Sequence, residues 1–124
     1  MWKFKHRAAS LSMLTLVAVT NLAGVSAAEG EVSEEALARG REIAFDIMTG
    51  NCLACHMMAG GEMPGNIGPP LIAMKARYPE RAKLRAQIAD SRISNPKTIM
   101  PPFGAHGVLT DEELDMVTDF VHSL

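Results

Sequence analysis

Few of the residues that usually mark a site or fill a core are present in this chain. Among 124 residues there are 2 cysteines, 1 tryptophan, 1 tyrosine and 4 phenylalanines. Two cysteines exclude the multi-disulfide frameworks of small secreted scaffolds, and they are too few for a four-thiolate zinc site. No stretch alternates apolar and polar side chains as a half-buried strand does, so a sheet is not expected. No apolar run is long enough for a membrane-spanning helix, the longest being Leu11 to Val19, broken by Ser12 and Thr15. Charge of one sign does not dominate either: 12 Lys and Arg stand against 14 Asp and Glu. That balance gives no electrostatic reason to bind nucleic acid.

What is present begins with a leader. Lys3, Lys5 and Arg7 form a basic head, the short apolar stretch follows, and Val25-Ser26-Ala27 puts small residues at a cleavage position. This pattern predicts a cleaved signal peptide over residues 1–27 and export to the periplasm, with no stable membrane anchor. Residues 28–124 then form a single domain without repeats or low-complexity linkers. Loss of the three basic residues of the leader leaves nine Lys and Arg against all fourteen acidic residues, a formal charge of −5. A chain this short buries a marginal core, and its aromatics after the leader are only Phe45, Tyr78, Phe103 and Phe120.

Three segments carry helical periodicity, and the predicted fold class is all-α. The first runs from about Glu34 to Met48, with Ser33 as N-cap, Glu34 and Glu35 in the first turn, and Gly50 at the end. Leu37, Gly40, Ala44 and Ile47 fall on its apolar face. The second runs from about Pro79 to Ser91, with Leu84 and Ile88 on one face. The third covers Asp111 to Ser123, where Thr110 and Glu113 match a capping box. Leu114, Val117, Phe120 and Val121 make its apolar stripe, with Leu124 at the edge. Gly- and Pro-rich loops, Gly60 to Pro70 and Asn95 to Gly107, connect them.

The two cysteines stand in Cys52-Leu53-Ala54-Cys55-His56. A Cys-x-x-Cys-His run is the attachment site of a c-type haem. Two intervening residues let one turn of chain bring both thiols to the two vinyl groups, and the histidine then faces the iron. The other readings of the pair fit less well. A thioredoxin-like dithiol needs a βαβ context, a zinc knuckle needs a second ligand pair, and a disulfide this short would clamp almost nothing. One motif and no further cysteine predict one covalently bound haem c. Haem would also supply the apolar volume that the sparse core lacks, so the haem-free chain is expected to fold poorly. Export agrees with the motif, because bacterial c-type haem is attached outside the inner membrane and thioether bonds consume both thiols.

His56 is the expected proximal iron ligand. Its second ring nitrogen needs an acceptor, for which a prolyl carbonyl in Gly68-Pro69-Pro70-Leu71 is placed, unless those prolines only stiffen a turn. For the sixth position Met100 stands out, because Pro101-Pro102 limits the freedom of its loop. Met63 and Met74 are the other methionine candidates, and His106 is the bis-histidine alternative. Met57 and Met58 are too near the haem edge, and His122 is read as exposed on the last helix. A His/Met pair raises the reduction potential and leaves no open position on the iron, which favours electron transfer over catalysis there.

The order helix, Cys-x-x-Cys-His, Gly-Pro-x-Leu, Met-Pro and a Leu-Thr-Asp-Glu-Glu-Leu helix resembles class I cytochrome c. Phe45 stands farther from Cys52 than the corresponding aromatic in many small cytochromes of that class, which loosens its expected packing against Phe120. A narrower resemblance, to the SoxX family, is carried by Gly50 to His56, by Gly60-Gly61-Glu62-Met63-Pro64-Gly65-Asn66-Ile67-Gly68-Pro69-Pro70-Leu71, by Met74 to Pro79 with Leu84 to Ile88, and by Asn95 to Gly104. SoxX is the monohaem subunit of the SoxAX cytochrome of thiosulfate oxidation. The resemblance implies a SoxA-like partner that holds the catalytic site, and thiosulfate conjugation to a cysteine of the carrier SoxYZ. It also implies a downstream periplasmic cytochrome as electron acceptor. In this chain it implies haem attachment at Cys52 and Cys55, iron ligation by His56 and Met100, and no catalytic residue. The activity, L-cysteine S-thiosulfotransferase, would belong to the complex; a free-standing electron shuttle is the alternative. Finally, Lys75, Arg77, Arg81, Lys83, Arg85 and Arg92 make a basic run, read either as a solvated helix face or as a patch for a partner or haem propionates.

Overall fold

The computed structural model describes residues 31–124, so the proposed leader lies outside the described residues. Four helices follow in order: α1 Glu34–Phe45, α2 Met74–Arg77, α3 Arg81–Ala89 and α4 Asp111–His122, with a 3-10 turn at Cys52–Ala54 between the first two. No strand occurs among the described residues, and only an isolated parallel bridge joins Met58 to Leu71. The chain is all-α, as its periodicities predict.

Both long helices begin where their sequence says. The Ser33 hydroxyl accepts from Ala36 N–H at 3.1 Å. The Thr110 hydroxyl accepts from Glu113 N–H, while the Glu113 carboxylate accepts from Thr110 N–H at 3.0 Å, a complete capping box. Each cap satisfies N–H groups that have no partner inside the helix. Helix α1 stops at Phe45 rather than Met48. Asp46 adopts an extended backbone, and its Oδ1 accepts from Met48 N–H at 2.8 Å, a local bond that competes with another helical turn. Ile47, expected on the core face, is therefore 75 % exposed, and Ile43 takes its place in the core.

α1 crosses α4 at Gly40. A Cβ there would lie 2.6 Å from the carbonyl carbon of Met116, so only glycine lets the backbones meet. Phe45 does pack on Phe120, edge to face, with ring centroids 5.9 Å apart and planes at 88°, closer than its distance from the cysteines suggested. The α4 stripe Leu114, Val117, Phe120 and Val121 is buried with Leu84 and Ile88 of α3.

The basic run is neither a plain solvated face nor a free patch. Arg81 binds Asp119 and, through Nη2, Asp115 at 3.1 Å. Arg85 binds Asp115 at 2.8 Å and Asp111 at 3.0 Å. These pairs tie α3 to α4. Arg92 is closed on Asp90 and Lys83 on Glu80. The Arg81 and Arg85 side chains are about one-third exposed, so the ladder contributes roughly 0–1 kcal/mol per pair and weakens in salt.

Candidate functional site

Residues 51–56 make one tight turn. Asn51 takes a left-handed conformation (φ 46°), which asparagine tolerates, and turns the chain out of the α1 region into the 3-10 turn. Cys55 and His56 then both bond back to the Cys52 carbonyl, at 3.2 and 2.8 Å. The loop that follows folds back over this turn. Gly65 N–H donates to Leu53 O at 2.7 Å, Gly68 N–H to Cys55 O at 2.9 Å, and Leu71 N–H to Met57 O at 2.8 Å.

That return sets the histidine. His56 Nδ1 lies 2.7 Å from the Pro69 carbonyl oxygen. A carbonyl only accepts, so Nδ1 carries the proton and donates, and Nε2 keeps its lone pair. Gly68 makes the approach possible, because a Cβ there would lie 2.6 Å from Nδ1. The acceptor foreseen in Gly68-Pro69-Pro70-Leu71 is thus Pro69. Next to it, Pro70 O accepts from Arg77 Nη1 at 2.7 Å, and the same nitrogen is 3.4 Å from Met74 Sδ.

Cys52, Cys55, His56 and Met100 all line one cavity of about 260 Å³. Its remaining wall is largely apolar, with Leu84, Ile88, Phe103 and Val117 among its residues. The other sixth-ligand candidates divide. Met74 also lines the cavity and is 1 % exposed. Met63 is 94 % exposed and lies outside it. His106 is outside too, with Nε2 3.3 Å from Arg92 Nη1. His122 is not free on its helix: its Nε2 lies 2.9 Å from Tyr78 O.

The chemistry of the wall suits haem and not a bare ion. Among the described residues no group of three or more His, Cys, Asp or Glu could hold a metal. One imidazole and a thioether can ligate only an iron that brings its own equatorial donors. Both cysteines are half-buried at the cavity wall. Burial pushes the Cys52 thiol up to about 11, the reverse of the lowered value that a redox dithiol needs. Sequence reasoning missed α2, a single helical turn entered through a left-handed Ala73. It placed Arg77 in the basic run but missed its contact with the loop, where the guanidinium braces the Pro70 carbonyl. The only sequence signal for either was the Met74-Lys75-Ala76-Arg77-Tyr78-Pro79 run.

Residues 35–121 match the family model described as cytochrome c oxidase, cbb3-type, subunit III, and the chain belongs to that family. It is a c-type cytochrome of the class I fold, a haem family of electron transfer. Among solved structures it is similar to SoxXA from P. pantotrophus, with 27 % sequence identity, 69 % of this chain and 79 % of that chain covered, and a TM-score of 0.63. The resemblance to SoxX drawn from the motifs holds in three dimensions. No curated protein sequence matches the chain. Among the described residues no helix is long and apolar enough to cross a membrane.

Proposed function

We propose that residues 28–124 form one domain carrying a single haem, attached through Cys52 and Cys55, with His56 and Met100 as iron ligands, and that the chain is the electron-accepting subunit of a SoxAX-type complex. One observation carries the reading: a Cys-x-x-Cys-His turn whose histidine is held by Pro69 O in a chain folded like SoxXA. When bound, haem supplies a one-electron redox couple. His56, fixed in its Nδ1–H form by the Pro69 carbonyl, would offer Nε2 to the iron, and that bond would make the imidazole a stronger donor. Met100 is preferred over Met74 because the Met74 sulfur already accepts from Arg77, and over Met63 because that side chain points to solvent.

If His56 and Met100 both held the iron, no position would remain for substrate, so this chain would carry electrons and its partner would perform the chemistry. Joining thiosulfate to a SoxYZ cysteine forms an S–S bond, loses the thiol proton and releases two electrons. A one-electron subunit must therefore pass the first to a downstream periplasmic cytochrome before it takes the second. The assembly would be a heterodimer with a SoxA-like cytochrome, acting as an L-cysteine S-thiosulfotransferase. Residues 1–27 would act as a cleaved signal peptide that directs the chain to the periplasm. The second reading is a free-standing periplasmic electron shuttle, which a lone haem domain of the cytochrome c class would also serve.

Affinity recovery of the tagged chain from the periplasm of its host grown on thiosulfate tests the two. Stoichiometric recovery of a larger c-type cytochrome, with thiosulfate transfer to a carrier cysteine, is the expected result. Recovery of the chain alone would leave the shuttle.

A further inference from the structure

The segment that carries Met100 has no helix or strand of its own, so its backbone groups must find partners elsewhere. Both polar backbone groups of Met100 are taken by side chains. Its N–H donates to Thr98 Oγ1 at 3.2 Å, and its carbonyl accepts from Ser91 Oγ at 3.1 Å. Pro101 restricts the residue before it to an extended backbone.

Ser91 is unusual for its burial. Among the described residues the buried polar side chains are Ser91 and Thr118, each 0 % exposed. Thr118 Oγ1 bonds Leu114 O one turn back in its own helix. Ser91 instead reaches across to a loop residue, while its own carbonyl accepts from Asn95 N–H at 2.9 Å. The Ala89 carbonyl accepts from both Gly104 and Ala105 N–H, each at 3.1 Å. The end of α3 therefore grips the loop on both sides of Met100. A buried hydroxyl is costly unless it is bonded, and the bond made here is to the Met100 carbonyl.

We infer that Ser91, assisted by Thr98, is a positioning residue that fixes the direction in which Met100 offers its sulfur to the cavity. The inference rests on the reading of Met100 as the sixth ligand. A thioether is a neutral, weak ligand and stays on iron only while its backbone holds it there. Without the Ser91 hydroxyl the Met100 carbonyl loses its bonding partner, the loop relaxes, and an external ligand displaces the sulfur more easily.

The test uses the ferric holoprotein with imidazole as the competing probe. Ser91→Ala is expected to bind imidazole about tenfold more tightly than wild type, a shift of ~1.4 kcal/mol, and Thr98→Val about threefold more tightly. Thr118→Val removes the hydroxyl of the other buried polar residue and should stay within about twofold while losing comparable thermal stability. Wild-type affinity in both Ser91→Ala and Thr98→Val overturns the inference, as does Thr118→Val tightening imidazole as much as Ser91→Ala. If Ser91→Ala yields no holoprotein, Thr98→Val decides alone. Met100→Ala separates the two levels. If it keeps the thioether-to-iron charge-transfer band, the ligand reading fails and the inference with it. If the band is lost but the loop variants bind imidazole as wild type does, only the inference fails.

Discussion

Where α1 crosses α4, the chain is held by apolar contact between regular helices: Gly40 against the Met116 backbone, Phe45 edge-on to Phe120, and a buried α4 stripe. The segments that carry the candidate ligands are held by a few directed hydrogen bonds, among them Gly68 to Cys55, His56 to Pro69, and Met100 to Ser91 and Thr98. A helix crossing spreads its stabilisation over many contacts and tolerates small errors in aim. A ligand loop has to aim one atom, so few bonds matter and each matters for direction. The crossing thus governs whether the domain folds, and the loops govern what is presented to the cavity.

Three substitutions sharpen that contrast. The largest effect is expected from Gly40→Ala. Alanine is the better helix former by ~1 kcal/mol, but its methyl would meet the Met116 carbonyl, and forcing the backbones apart costs more. A net loss of ~2–4 kcal/mol is expected in denaturant unfolding of the holoprotein, with an unchanged haem spectrum in the folded fraction. A stability within ~0.5 kcal/mol of wild type would mean that the crossing is not tight.

Gly68→Ala should act the other way round. Its Cβ would push against the His56 ring, so the bond to Pro69 lengthens or breaks. The expected stability loss is only ~1–2 kcal/mol, but the visible spectrum and the reduction potential should both move. An unaltered potential would show that the Pro69 contact does not tune the imidazole.

The smallest effect belongs to the ion-pair ladder. The hydrogen bond from Arg85, helped by Arg81, holds the Asp115 carboxyl below its ordinary value. A carboxylate lowered in the folded state stabilises fully above its unfolded value of about 4. That contribution is lost as pH falls through the lower folded value. Asp115→Asn should therefore flatten the acid limb of the Tm-against-pH curve and cost no more than ~1 kcal/mol at pH 7, less in high salt. Parallel acid limbs in the two proteins would remove Asp115 from the account.

Much of this was readable in the chain because it is local. The caps at Ser33 and Thr110, the α4 stripe, and a prolyl acceptor for His56 all depend on residues within a few positions or on one short motif. Element ends were read less well. α1 ends early because the Asp46 side chain captures Met48 N–H, and α3 is Arg81–Ala89 rather than Pro79 to Ser91. Helix α2, at four residues, is too short to show a period at all.

By itself the sequence determined the helical class, the starts of the long helices and the Cys-x-x-Cys-His turn, because capping, periodicity and the reach of one chain turn are short-range physics. Only the tertiary structure decided that Arg81 and Arg85 are engaged by acids 26 to 38 residues away on α4. The same folding put Met74 and Met100 on the cavity and left Met63 in solvent, and it made Ser91 the partner of the Met100 carbonyl. Those outcomes depend on which distant segments are pressed together, and a hydrogen bond or ion pair acts only at the distance that packing allows.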